Sequence, residues 1–181
     1  TVPKSALDGF LSNYPETVLQ ALNDCARTRG HDIYLVGGAL RDLLINVVSV
    51  DLDFAVTEGA IDFTHEVRDR LGWGSVVILD EENDTARLVL EELSLDVAGF
   101  RKGARTIEED LVRRDFTINT LAIRLDSGHY GQLLDFYGGE QDLKERLVRV
   151  LHSLSFIEDP TRIMRAARFE QRLGFAIEPR T

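Results

Sequence analysis

The sequence is poor in several features that would narrow its function at once, and each shortage excludes something. A single cysteine, Cys25, rules out an internal disulfide and leaves no second thiol for a zinc site, in keeping with a reducing compartment. Set beside Ala21 and Leu22 in a helical pattern, it reads as a small buried hydrophobe. No apolar run approaches the roughly 18 residues of a membrane span, and no signal-peptide pattern is present, so a cytoplasmic setting is the expectation. Positive charge is scarce. With 21 Lys and Arg against 31 Asp and Glu, the net charge of -10 argues against nonspecific attachment to nucleic acid or anionic lipid, while leaving room for a local basic cleft. No Ser, Cys or His triad stands out. There is no initiating Met, and the chain stops at Thr181 just after a strongly patterned helix, which reads as an excised piece of a longer protein. What remains is an ordinary globular composition, 44% hydrophobic and 29% charged, in 181 residues. That length suits one substantial core, or one domain and the start of another.

The most informative stretch is Val50 to Val56, VDLDFAV. As a strand it puts Leu52, Phe54 and Val56 on one face and Asp51, Asp53 and Ala55 on the other, with alternate Cα atoms roughly 7 Å apart. Two carboxylates side by side repel one another, so the pair makes sense around a hard cation, and magnesium is the natural candidate. A solvated face of an edge strand is the competing reading. The preceding stretch favours the cation. Asp32 to Val36 reads as a first strand, Gly37-Gly38 follows at once, and ALRDLL opens a helix. Glycines admit close backbone approach, and the first amides of a helix lack partners and favour an anion. Arg41, one turn in, is a charge-assisted donor for the same anion. The pattern is neither a dinucleotide fingerprint nor a Walker loop.

Before these elements, residues 3 to 30 read as helices, one opened by Pro15 and ended by Gly30. After them, Gly59 to Gly72 is amphipathic, with Ile61, Phe63, Val67 and Leu71 as its buried side. Trp73, between two glycines, is expected to pack at a turn. Ser75 to Leu79, Ala86 to Leu90 and Leu93 to Ala98 read as strands, with the acidic run Asp80 to Asp84 as a solvated loop. Asp96 shares a face with Ser94 and Ala98 and is a candidate third carboxylate, or merely an Asp near a strand end. Thr106 and Glu109 form a capping pattern. Arg113-Arg114, two adjacent arginines that suit a triphosphate or a sugar hydroxyl or form only a surface salt bridge, and Asp115, which would also serve as an N-cap, then precede FTINTLAIRL, which is expected to be a helix on the sheet. Tyr130 to Phe136 reads as extended, and Gly138-Gly139 as a turn before a helix around Asp142 to Leu147.

The last stretch, SFIEDPTRIMRAARFEQRLGF from Ser155, opens a helix at Pro160 with Asp159 as N-cap. Arg162, Arg165 and Arg168 recur every three residues along one side, while Ile163, Ala166, Ala167 and Phe169 supply packing surface. An Asp carboxylate accepts from an exocyclic amino group, and an Arg guanidinium donates to the neighbouring ring nitrogen. Cytosine and adenine present that order of groups, whereas uracil and guanine reverse it. A wet charged helix face is the plainer alternative.

As a set, YLVGGALRDLL at 34 to 44, DLDFAV at 51 to 56, EEDLVRRDFTINTLAI at 108 to 123, LLDFYGGEQDL at 133 to 143 and EDPTRIMRAARF at 158 to 169 resemble the class II tRNA nucleotidyltransferases. These are the CCA-adding enzymes of bacteria and eukaryotes, and bacterial poly(A) polymerases share much of the pattern. The resemblance implies an α/β (α+β) polymerase-β-like head with a mixed sheet over 1–150, and the first helices of an all-α neck over 151–181. It implies catalytic Asp51, Asp53 and Asp96, with magnesium on Asp51 and Asp53. Gly37, Gly38 and Arg41 would hold a triphosphate, and Arg114, Asp115 and Asn119 the ribose and nucleotide. Asp159 and Arg162 match the pair that reads the incoming base, supported by Arg165 and Arg168, with Glu158 in the same motif. The implied partners are a tRNA 3′ end and CTP, with ATP as a second nucleotide. One departure from the family is plain. The long loop that many members carry before the RRD motif is here only Phe100 to Thr106, which resembles the CC-adding specialists.

Overall fold

The computed structural model describes residues 8–9, 11–125 and 129–181, apart from the side chain of Lys102. Its centre is a seven-stranded mixed sheet in the order β3-β4-β5-β2-β1-β6-β7. The strands are β1 (Ile33–Val36), β2 (Asp51–Val56), β3 (Ser75–Asp80), β4 (Thr85–Val89), β5 (Ser94–Gly99), β6 (Ala122–Arg124) and β7 (Leu133–Leu134). β2 runs parallel to β5, and every other neighbour is antiparallel.

The parity expected of β2 holds. Leu52, Phe54 and Val56 enter the main core with Phe63 and Val67 of α3 (Ala60–Leu71) and Val18, Leu22 and Cys25 of α1 (Glu16–Arg29). Full burial of such side chains contributes about 1.5–3 kcal/mol each, so this face dominates the stability of the fold. Gly30 ends α1 in the left-handed region, as its place past the last helical residue required. Ala55 points the other way, into a smaller cluster with Tyr34, Val36, Ala122 and, from α4 (Ile107–Leu111), Ile107 and Leu111. The candidate carboxylates Asp51 and Asp53 stand on this second face.

Four local expectations need correction. Phe116 to Leu125 is not a helix: a single 3-10 turn, Thr117–Asn119, leads into β6. Ala122 pairs with Val36 and Ile123 with Leu35, and Phe116, Ile118, Leu121, Ala122 and Ile123 are all buried. A run buried on every side carries no helical stripe, and its β-branched residues suit the sheet. Trp73 follows the helix-ending turn at Gly72 as expected, but it packs only in part, being 41% exposed. The run at 80–84 is more than a solvated loop, because Asp84 accepts hydrogen bonds from the amides of Ala60 (2.8 Å) and Ile61 (3.0 Å), capping α3 from a distant turn. Leu147, finally, lies in a strand, β8 (Leu147–Val148), beyond α5 (Gly139–Glu145).

The remaining elements are α2 (Gly37–Leu44), α6 (Ser155–Glu158), α7 (Thr161–Leu173) and β9 (Ala176–Ile177), the last paired with β8. Pro160 takes the N-cap position of α7, and the Asp159 side chain accepts from the Thr161 amide at 3.0 Å, a cap one residue earlier than usual. The expected helices over residues 3–7 lie outside the described residues. Among the described residues no helix is long and apolar enough to cross a membrane.

Candidate active site

The site begins where β1 hands over to α2. Val36 pairs with Asp53, and Gly37 follows with φ +69°. A Cβ on Gly37 would stand 2.8 Å from Asp53 Oδ2 and 3.2 Å from Arg114 Nη1, so the position needs glycine for its backbone and for its space. The Gly38 amide donates to Asp53. Burial pushes the Asp53 carboxyl up from its ordinary value; Arg114 and the Gly38 amide oppose that, while the negative charges of Asp96 and Asp51 add to it. Asp51 is exposed at the start of the strand. Asp96 is level with Asp53 on the neighbouring strand, but Arg87 holds both of its oxygens, with Nε–Oδ1 at 2.6 Å and Nη2–Oδ2 at 2.8 Å. Among the described residues no cluster of three or more His, Cys, Asp or Glu is arranged to hold a metal ion. Asp96, the candidate third carboxylate, thus stands level with Asp53 but is engaged by Arg87.

In front of Asp53 opens a cleft of about 450 Å³. Gly37, Gly38, Arg41, Arg114, Asp115, Asn119, Asp159, Arg162, Arg165 and Arg168, separated by up to 131 positions in sequence, all line it. Eight of its lining residues are arginines against three aspartates, so an acidic chain carries a strongly basic cleft. Such a concentration selects a polyanion of small size. Arg113 lines it beside Arg114, the adjacent pair read as suited to a triphosphate or a sugar hydroxyl; Arg101, Phe169 and Arg172 also line it and were not anticipated there. Arg172 continues the stripe of Arg165 and Arg168 on one face, a spacing that was open to reading. Arg101 had no such signal.

The arginines are held in place by buried acceptors. Arg41 is 2% exposed; its Nε and Nη2 donate to Asp42 Oδ1 at 2.9 and 2.6 Å, and its Nη1 to Asn119 Oδ1 at 2.9 Å. Asn119 passes the connection on, donating at 2.8 Å to Asp115 Oδ1, while Asp115 Oδ2 accepts from Arg165 at 2.8 and 2.6 Å. Arg172 returns to Asp42 at 3.6 Å. Phe169 sits within this ring of polar contacts, with the Arg41 guanidinium 5.1 Å and the Arg165 guanidinium 5.6 Å from its centroid. Arg41 therefore serves the cleft as a nearly buried member of a network, not as a free side chain reaching outward.

Buried Asp110 organises the other wall, accepting from the Arg101 amide at 2.9 Å and pairing with Arg101 at 3.2 Å and Arg114 at 3.5 Å. The Arg114 Nε is buried and has no hydrogen-bond partner. Burial, with the neighbouring Arg101 charge, lowers its guanidinium below the ordinary value. An unsatisfied buried donor in an arginine-lined cleft calls for an anionic acceptor.

At the far end, Arg162 is fixed by Ser155 Oγ at 2.7 Å and by the Arg113 carbonyl at 3.3 Å, and its Nε lies 3.8 Å from Asp159 Oδ2. Hydrogen bonds from the Thr161 side chain and amide hold the Asp159 carboxyl below its ordinary value, so it is an ionised acceptor at neutral pH. Donor and acceptor expected from the sequence are thus adjacent. Glu158 is exposed and lies 3.4 Å from His152, away from that pair.

Comparison with known proteins gives a consistent set. Residues 33–149 match the family model of the poly A polymerase head domain. The chain is 42% identical over 160 residues to the A-adding tRNA nucleotidyltransferase of Geobacter sulfurreducens, covering 82% of this chain and 18% of that protein. It is 43% identical over 158 residues to the CC-adding tRNA nucleotidyltransferase of the same organism, covering 86% and 35%. Among solved structures, the Thermotoga maritima CCA-adding enzyme complexed with tRNA_CCA superposes with TM-score 0.81 at 41% identity, over 93% of this chain and 41% of that one. A CCA-adding enzyme complexed with CTP gives 0.83 at 41%, over 93% and 42%. The chain thus spans less than half the length of these relatives.

Proposed function

The chain belongs to the poly A polymerase head domain family, that of the class II tRNA nucleotidyltransferases, and from that premise we propose that it catalyses nucleotidyl transfer from CTP, with ATP as a second nucleotide, to the 3′ end of a tRNA. The observation that carries the reading is one cleft that joins a carboxylate strand, a basic cradle and a base-sized donor–acceptor pair. In this reading residues 1–150 are the head, and α6 and α7 within 151–181 begin a helical neck.

Asp51 and Asp53 fit magnesium. They offer hard oxygen donors two residues apart on one strand face, and one or two carboxylates plus substrate phosphates is the usual magnesium set. A pair of magnesium ions bound there supplies activation of the 3′ hydroxyl and neutralisation of the pyrophosphate leaving group. The chain's own groups then position the substrates. The Gly37-Gly38 turn lets phosphates approach the backbone; Arg114 offers its unpaired Nε, and Arg41 and Arg168 add charge. Asp159 Oδ2 accepts from the amino group of cytosine or adenine, and Arg162, braced from behind by Ser155, donates to the adjoining ring nitrogen. Asp115 and Asn119 act largely through Arg165 and Arg41.

The short connection at 100–106, a single 3-10 turn between β5 and α4, supports CC addition as the product. Similarity to A-adding relatives favours addition of A alone as the second reading. The complete protein carrying this chain, given tRNAs that lack CCA, end in C or end in CC, with labelled CTP or ATP, separates them. CMP incorporation that stops at CC supports the first; AMP added only to the CC end supports the second; and indiscriminate AMP tailing of unrelated RNAs would assign a poly(A) polymerase instead.

A further inference from the structure

We infer that Arg87 is a positioning residue that withholds Asp96 from the cation site, so that the resting site offers two carboxylates and not three. The inference rests on the nucleotidyl-transfer reading above. β4, β5 and β2 are in register, Arg87 opposite Asp96 and Asp96 beside Asp53, so the three side chains project from one face of the sheet. Asp96 is the only carboxylate in that row with its own counter-ion, and the counter-ion is a fork that engages both oxygens at 2.6 and 2.8 Å. A cation seeking Asp96 must displace that fork or lie beside a fixed positive charge. Asp53 has no such pair; the Gly38 amide and the charge of Arg114 are its nearest polar company, and the charge of Arg87 reaches both Asp53 and Asp51 more weakly than it does Asp96. Arg87 itself carries no role in the proposed chemistry and does not line the cleft.

The consequence is a site that is weak alone and completed by its substrate. Two carboxylates leave most of the coordination shell of magnesium to water or to nucleotide phosphates. Cation and nucleotide then load together, and the three carboxylates remain compatible with the folded state while the metal is away. Arg87 sets that arrangement from one strand beyond.

The test is a Mn²⁺ titration followed by electron paramagnetic resonance, on the complete protein without nucleotide. Wild type, Arg87→Met, Asp96→Asn, the double variant and Asp53→Asn are compared, with thermal melts to establish folding. Release of Asp96 in Arg87→Met should tighten Mn²⁺ binding about tenfold or more, the size expected for changing a partner of a metal site, and the double variant should return to wild type. The gain should persist in about 0.5 M KCl, where loss of a distant positive charge alone would be screened. Asp96→Asn should leave wild-type affinity nearly unchanged. Arg87→Met binding no tighter, a gain that vanishes in salt, or Asp96→Asn weakening binding as much as Asp53→Asn would each overturn the inference. If wild type shows no Mn²⁺ site that Asp53→Asn removes even after CTP is added, the nucleotidyl-transfer reading is what falls. Arg87→Met still decides the role of Arg87, since only release of Asp96 creates a third carboxylate.

Discussion

Replacing Phe169 with Leu should loosen the cleft more than loss of an aromatic ring from an ordinary core. The ring meets Phe116 edge-on at 5.7 Å, an arrangement that contributes about 0.5–1.5 kcal/mol beyond area. Two guanidiniums lie over it. Arg41 is almost fully buried, so its cation–π contact belongs near the upper figure of about 2 kcal/mol, whereas half-exposed Arg165 belongs near about 0.5 kcal/mol. Leucine keeps much of the volume and regains some dispersion, which leaves a net loss of about 2–3 kcal/mol. Urea denaturation reads that loss directly. Because Arg41 and Arg165 belong to one hydrogen-bonded ring, CTP affinity should also fall, by about tenfold if half of the lost energy had been orienting the cleft. A stability loss under about 1 kcal/mol with unchanged CTP binding would refute the role given to the ring.

Other perturbations follow from single contacts. Gly37→Ala should cost about 1–2 kcal/mol in a chemical melt from its left-handed backbone alone, and should abolish nucleotide incorporation, because the new methyl meets Asp53. Asp84→Ala should cost about 1 kcal/mol and increase amide exchange at Ala60 and Ile61, while Asp84→Asn should be milder. Arg29 holds the Glu66 carboxyl below its ordinary value of 4.5, through hydrogen bonds at 2.7 and 2.9 Å. Its contribution is therefore complete above that value and lost as the pH falls through the lower folded one; being half exposed, the pair should contribute under about 1 kcal/mol, and Glu66→Gln should flatten the acid limb of a stability–pH profile by that amount.

Much of the site was legible because its signals are local. The alternation of DLDFAV, the glycine pair and the helix opening at Asp159-Pro160 each fix a conformation within a few residues, and the structure follows the first two and meets the third within one residue, with Pro160 at the N-cap. The segment after Asp115 misled because a run buried on every side has no diagnostic period, so helix and strand read alike until β1 supplies a partner. Asp84, Asp110 and Arg87 were invisible for a different reason. Their partners lie on other elements, the amides of α3, the guanidinium of Arg101 and the carboxylate of Asp96, and only strand order and loop placement bring them together. Phe169 was legible as packing surface, but its two cationic neighbours come from α2 and from its own helix, and only the fold puts both against one ring.

The central claim is that Asp53, the basic cleft and the Asp159–Arg162 pair form one nucleotidyl-transfer centre. The most direct measurement is incorporation of labelled CMP into tRNA lacking its 3′ CCA, with the complete protein, with and without magnesium, for wild type and Asp53→Asn. The account predicts magnesium-dependent incorporation by wild type, favouring CTP over UTP, and none by the folded Asp53→Asn variant. Equal incorporation by both proteins, or incorporation indifferent to magnesium, would contradict it.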